Sequence, residues 1–240
     1  MMENFIRTTF VTIMLLGIIA CDPSVSPSQG DSKGSPSQAV DPIIGLDVSS
    51  HQGNINFYHV KKAGYDFVFI RATDGVDYQD PNYDSNLQQA RQAGFTVGAY
   101  HFYETDDDPI AQANNFIKNS QLKSGDLAPV IDIEKLSNPQ SNNFTADLTT
   151  FIKQLEKHYR TKPILYSNPN FANQYLSRFN QYPLWLADYD NKAQPVLPSA
   201  WSYWTFWQWT DTGTVDGISV NVDLDKFNGD FKAFQQYLIP

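Results

Sequence analysis

Residues 42–240 predict an α/β fold, an irregular TIM-like (β/α) barrel of about eight strands and about five helices. Short β-rich apolar runs recur at intervals of roughly 30 residues along most of the chain. Several are apolar on both faces, as strands buried in a parallel sheet are. Segments with helical spacing lie between them, except late in the chain, where the loops are too short for full helices. The alternative is an open doubly wound sheet. No glycine-rich phosphate fingerprint follows the first run, so nucleotide binding has no support.

The strand candidates, in order, are Ile43–Val48, Phe67–Ala72, Thr96–Phe102, Pro129–Ile133, Pro163–Ser167, Leu184–Ala187, Thr205–Trp209 and a weaker Val220–Leu224. Helical spacing is carried by Tyr83, Leu87 and Ala90; by Ile110, Ala113 and Ile117; by Leu148, Phe151, Ile152, Leu155 and Tyr159; and by Phe171, Ala172, Tyr175, Leu176 and Phe179. Asp108-Pro109 and Asn168-Pro169 each place a side-chain acceptor at an N-cap and a proline at the first helical position.

The chain has 240 residues, of which 41% are hydrophobic, enough for a sizeable core. Lys+Arg 17 against Asp+Glu 26 gives a net charge of -9 without a basic run, which disfavours a nucleic-acid partner held by its phosphates. The single cysteine excludes an internal disulfide and a Cys-rich zinc site. Arg7 and the apolar run Phe10–Ala20 fit a signal peptide, and Cys21 directly after Ile18-Ile19-Ala20 resembles a lipobox cysteine that becomes a lipidated amino terminus. An ordinary signal peptide on a secreted protein is the alternative. Residues 22–41 are rich in Ser, Pro, Gly and Gln and read as a flexible tether. The domain from residue 42 keeps 15 basic and 22 acidic residues, a net of -7.

In a parallel barrel, residues at the carboxyl ends of strands face the site. Asp47 closes the first run, Asp132 and Glu134 close the fourth, and Asp223 lies in the last. Asp132 and Glu134 are two apart, so an extended strand sends both to one face about 7 Å apart, where crowding raises one pKa and leaves a general acid near neutrality. Glutamate is scarce past the signal segment, at 104, 134 and 156 only. Trp201, Trp204, Trp207 and Trp209, with Tyr203 and Phe206, crowd into nine positions, and strand alternation sends about half to each face. With Tyr100, Tyr103, Trp185 and Tyr189 they offer flat surfaces for sugar rings. Acids with aromatics point to carbohydrate hydrolysis.

The remaining polar groups read less sharply. His101 and His51 either line the pocket or are structural histidines; His59 and His158 read as surface residues on helical segments. The acid run Glu104, Asp106, Asp107, Asp108 reads as a helix cap facing solvent, with a metal site as the weaker alternative.

An ordered set of motifs then carries a resemblance: Gly45-Leu46-Asp47-Val48-Ser49-Ser50-His51-Gln52-Gly53, Phe69-Ile70-Arg71-Ala72-Thr73-Asp74-Gly75, Gly98-Ala99-Tyr100-His101-Phe102, Asp132-Ile133-Glu134, Leu184-Trp185-Leu186-Ala187, Trp207-Gln208-Trp209, and Gly217-Ile218 leading to Val222-Asp223-Leu224 and Phe227. The set resembles glycoside hydrolase family 25, the lysozymes of the Chalaropsis and Cellosyl type, over nearly all of residues 43–238. Asp74, Phe57 and Arg71 depart from the glutamate, tryptophan and lysine frequent there, and none of the three is a catalytic position.

The resemblance implies a modified barrel that cleaves the β-1,4 bond between N-acetylmuramic acid and N-acetylglucosamine in peptidoglycan, with no metal or organic cofactor. It implies Glu134 as proton donor, Asp132 beside it either orienting the substrate acetamido group or shaping the charge of the pair, and Asp47 and Asp223 completing the acidic pocket. Substrate-binding positions are expected at Tyr100, His101, Tyr166, Trp185, Asp188 and Trp207. Carboxylate separation decides the second chemical step, and substrate assistance is favoured. The expected partners are peptidoglycan strands and, through lipid on Cys21 alone, a membrane, with the chain a monomer in the cell envelope. The competing readings are a barrel that binds glycan without cutting it and a hydrolase of another N-acetylated polymer such as chitin.

Overall fold

The computed structural model describes residues 41–137, 143–190 and 193–240; the signal segment with Cys21, and the tether up to residue 40, lie outside the described residues. Strand β1 (Ile44–Val48) is followed by helix α1 (Phe57–Lys62), β2 (Phe67–Asp74), the two-residue β3 (Tyr78–Gln79), α2 (Tyr83–Gln92), β4 (Thr96–Phe102), α3 (Pro109–Asn119), β5 (Val130–Asp132) and α4 (Phe144–Tyr159). Then come β6 (Ile164–Ser167), α5 (Pro169–Tyr175), β7 (Leu184–Ala187), β8 (Phe206–Gly213), β9 (Val222–Phe227) and the short α6 (Phe231–Phe234). The sheet runs β1-β9-β8-β7-β6-β5-β4-β2 and closes where β1 pairs with β2, giving an eight-stranded barrel with β3 folded back on the end of β2.

The predicted strands and helices all form, and both predicted caps are made. Asp108 accepts from the amides of Ile110 and Ala111 at the start of α3, and Asn168 from that of Phe171 at the start of α5. Helices α1 and α6 raise the helix number to six. One strand departs from the parallel expectation: β9 runs antiparallel to both β8 and β1. Only residues 214–221 join β8 to β9, too few for a crossover helix, so the chain has to return as a hairpin.

Strand alternation splits the core in two. Leu46, Val48, Val68, Ile70, Ala99, Ile131 and Leu165 point outward and pack with residues of α1 to α5 such as Val60, Leu87, Phe116, Phe151 and Phe171. Phe67, Phe69, Trp185, Phe206 and Phe227 point inward, and Phe234 from α6 closes the base against them. Burial of each such side chain stabilises by about 1.5–3 kcal/mol. Gly45 and Gly98 are inward positions without side chains because a Cβ at either would lie 2.4 Å from the ring of Phe67 or Phe69. Aromatic rings fill the lower barrel, so an opening can exist only at the other end.

Candidate active site

At that end each of the eight barrel strands supplies one inward residue around an opening: Asp47, Arg71, Tyr100, Asp132, Tyr166, Ala187, Gln208 and Asp223. The reversed β9 brings its beginning, not its end, to this mouth, which is why Asp223 pairs in register with Asp47. A central cavity of about 150 Å³ is lined by Asp47, Asp132, Glu134 and Asp223 together. A space of about 540 Å³ shares Glu134 and Tyr166 with it, and one of about 250 Å³ shares Asp47, Tyr100, Asp132 and Asp223. The three make a groove across the mouth, with the acids in its middle.

The acids differ in setting. Asp132 ends β5 and is buried, and its Oδ1 meets no hydrogen-bond partner. Burial raises its pKa first and the charge of Glu134 second, with Arg71 opposing. Glu134 lies past the strand, exposed at the rim, where protein on the cavity side removes enough water to raise its pKa against the pull of Lys135. Asp47 accepts from Gln208 Nε2 at 2.6 Å, and Gln208 Oε1 accepts from the hydroxyls of Tyr166 at 2.8 Å and Tyr189 at 2.5 Å. Burial raises the Asp47 pKa, and the Asp223 and Asp225 charges raise it further. Asp223 is pushed up to about 6 by burial, with Asp211 and Glu134 adding and a hydrogen bond with Asp47 opposing.

Tyr100, Tyr166, Trp185 and Asp188 sit at this groove as expected. Two of them do so differently from a sugar platform. Trp185 forms the floor: it is 2% exposed, one face stacks on Phe69 with ring centres 4.4 Å apart, and Nε1 donates to Asp225. Asp188 accepts from the amide of Val196 at 2.7 Å and so ties the groove wall together.

His101 is not a groove residue. It follows Tyr100 on β4, so alternation turns it outward, where Thr73 Oγ1 lies 2.8 Å and Gln112 Oε1 3.1 Å from its ring nitrogens and Phe151 stacks on the ring. Burial lowers its pKa to about 4, so it is a neutral core histidine. Trp207, expected to bind substrate, faces outward for the same reason. It lies between the inward Phe206 and Gln208, packs outside the barrel against Trp204 and Lys226, and donates Nε1 to the Asp188 carbonyl. Tyr103 packs on Phe151 and Trp201 joins the outer core.

His51 lines the smaller side of the groove, with Nδ1 2.8 Å from Ser49 Oγ, while His59 and His158 are exposed. Within the acid run Asp108 caps α3 and Glu104 meets Lys135 at 3.5 Å; among the described residues no His, Cys, Asp and Glu group has metal-binding geometry.

Two residues were passed over in the sequence. Gln208 was masked by its tryptophan neighbours, though the alternation that splits them turns it inward. Asp225 stands two after Asp223, the spacing that singled out Asp132 and Glu134, and it shares the inner face of β9.

The family model for glycosyl hydrolases family 25 matches residues 46–218. The chain belongs to glycosyl hydrolase family 25. Lysozyme M1 of Streptomyces globisporus is 36% identical over 203 residues, covering 78% of this chain and 68% of that protein. The N,O-diacetylmuramidase of Chalaropsis sp is 33% identical over 202 residues, covering 76% of this chain and 96% of that one. The crystal structure of the bacterial lysozyme from Streptomyces coelicolor superposes with a TM-score of 0.76 at 31% identity, covering 82% of this chain and 97% of the other. This family 25 member is thus a glycoside hydrolase, and the family match takes in Asp47, Asp132 and Glu134 and stops before Asp223 and Asp225.

Proposed function

We infer that this glycoside hydrolase is a peptidoglycan muramidase that cleaves the β-1,4 bond between N-acetylmuramic acid and N-acetylglucosamine. The observation that carries the reading is the meeting of Asp47, Asp132, Glu134 and Asp223 in one cavity in the middle of an open groove. The names lysozyme and muramidase among the relatives support the choice of polymer.

Glu134, at the rim with a raised pKa, holds the proton that goes to the leaving glycosidic oxygen as the bond to the anomeric carbon breaks. Asp132 Oδ1, buried and without a donor, accepts from the acetamido N–H of the sugar and aims that group's carbonyl oxygen at the anomeric carbon. That oxygen forms the new bond as the old one breaks. Glu134, now a carboxylate, takes a proton from the water that opens the resulting ring, and the sugar leaves with its configuration retained. Asp47 and Asp223 supply negative charge beside the developing positive centre. Tyr100 and Tyr166 form walls around the sugar, and Asp188 holds the groove side.

Residues 1–21 serve as an export signal ending in lipidated Cys21, residues 22–41 as a tether, and residues 42–240 as the catalytic domain of a monomer held at the cell envelope. The apolar run Phe10–Ala20 and the uniqueness of Cys21 support that arrangement. Replacing Cys21 with serine is expected to release the protein from the membrane fraction.

Digestion of purified peptidoglycan by wild type and by Glu134→Gln tests the activity. Wild type is expected to create muramic acid reducing ends, and the variant to bind glycan while turnover falls by about a thousandfold. Glucosamine reducing ends would replace the muramidase reading with another specificity. No new ends at all would make the barrel a glycan-binding module.

A further inference from the structure

Arg71 stands at the groove with no part in the mechanism above. Among the described residues that border the three spaces it is the one lysine or arginine, and it borders the smaller outer space, of about 250 Å³. The larger outer space is bordered by Glu134, Asp188 and Asp190 instead. The Arg71 guanidinium is held on its own side of the groove: Nε donates to Asp80 Oδ2 at 3.0 Å, Nη2 donates to Ser50 Oγ at 3.4 Å, and Cζ lies 5.5 Å from the centre of the Tyr78 ring. Asp80 is fixed in turn, because none of its side chain is exposed and it accepts from the amides of Ser50 and Asn82. These contacts leave Nη1 and one N–H of Nη2 without an acceptor among the described residues. A planar fork held in this way is suited to a carboxylate.

The acids decide which sugar reaches Arg71. Glu134, which protonates the leaving oxygen, borders the central cavity and the larger outer space but not the smaller one, whereas Asp47, Asp132 and Asp223 border the central cavity and the smaller one. The leaving sugar therefore extends into the larger space, and the ring that keeps the anomeric carbon turns its substituents towards the smaller. On the muramidase reading, on which this inference rests, that ring is N-acetylmuramic acid. Its acetamido group, on C2, is placed at Asp132; the adjacent C3 carries a lactyl ether, an acid that N-acetylglucosamine lacks. Asp132 of β5 and Arg71 of β2 border the same small space with only β4 between their strands, so neighbouring substituents meet neighbouring side chains. We propose that Arg71 is a specificity-determining residue that binds the carboxylate borne by the C3 substituent of this ring, whether the lactyl carboxylate itself or a carboxylate of the stem peptide joined to it. A muramic acid placed the other way round would bring that charge to the side of Glu134, Asp188 and Asp190, which offers it no cation.

Matched glycan strands test this with the whole chain. One set has its stem peptides removed and another keeps them, and each is used with its carboxylates free and as methyl esters. On at least one set, wild type is expected to cleave the free acid with a kcat/KM at least about tenfold that on the ester, the difference lying mainly in KM. Arg71→Gln is expected to bring that ratio to within about twofold of one. Both forms of a strand meet the same catalytic acids, so the ratio does not register a change that the variant makes at Asp132. Arg71→Gln leaves Asp80 buried without its cation, and Arg71→Gln combined with Asp80→Asn removes both charges and serves in its place where the single variant does not fold. A ratio that depends on Arg71 in the peptide-free strands assigns the lactyl carboxylate, and one confined to the peptide-bearing strands assigns the stem peptide. A wild-type ratio near one on both sets, or a ratio that the folded variant leaves unchanged, would overturn the proposal. Glucosamine reducing ends made by wild type would instead count against the muramidase reading, while the acid-to-ester ratio still decides whether Arg71 takes a carboxylate.

Discussion

Asp47 on β1 and Asp223 on β9 are direct partners across an antiparallel ladder, and that single register pair puts the two ends of the domain sequence into one acidic cavity. Burial makes the Asp223 carboxyl harder to ionise in the folded protein than in the unfolded chain, with a folded pKa of about 6, although its hydrogen bond with Asp47 opposes the rise. The folded state therefore binds more protons than the unfolded state over that interval, and stability present below about pH 4 is lost as pH rises through about 6. Asp223→Asn cannot ionise. Its Tm is expected to gain on wild type between about pH 4 and 6 and to stay ahead by a few degrees above that, as thermal melts across pH will show. A Tm gap that does not change with pH would contradict the raised pKa of Asp223.

Gln208 joins three groups at the cavity wall, donating to Asp47 and accepting from Tyr166 and Tyr189. Gln208→Leu leaves Asp47 without that donor and two phenols without their acceptor. Its kcat is expected to fall at least about tenfold, with the acid limb moving upward because the Gln208 hydrogen bond is what lowers the Asp47 pKa. Tyr166→Phe removes one arm of the network and is expected to cost only about two- to threefold in kcat. Steady-state kinetics per folded enzyme, over pH, check both.

His101 is held neutral in the outer core, with a folded pKa of about 4. The unfolded state takes up the proton first, so stability is complete above about pH 6.5 and is lost as pH falls towards about 4, by about 3 kcal/mol. His101→Gln is expected to melt lower than wild type at neutrality, by about 1–3 kcal/mol, with the gap narrowing as pH drops through that window. Its kcat and KM should stay within about twofold of wild type, since no part of the ring reaches the groove. A tenfold loss of activity in the folded variant would return His101 to the site.

Charge gives an opposite trend from that of a basic lysozyme. A domain carrying -7 is repelled by an anionic wall polymer at low ionic strength, and sugar contacts in the groove act only at short range. Hydrolysis of intact wall is expected to be faster at about 0.1 M salt than at about 0.01 M, measured as turbidity loss at fixed pH. A steep fall from low salt would contradict this.

The sequence by itself determined what is local. Apolar period marked every strand of the barrel, proline after Asp108 and Asn168 marked the starts of α3 and α5, and the two-residue spacing of Asp132 and Glu134 set both acids at one opening. Each of these depends on backbone geometry over a few residues. Tertiary structure alone decided which strand face became the inside of the barrel. Tyr100 and His101 are adjacent and equally suited to a site, yet closure of the sheet sends the first to the cavity and the second beneath α3 and α4. The short loop after β8 turns β9 back, but only closure of the barrel pairs β9 with β1, and with it come Asp223 and Asp225 beside Asp47. Alternation specifies that neighbours differ in facing; only contacts between residues far apart in the chain specify which of them faces in.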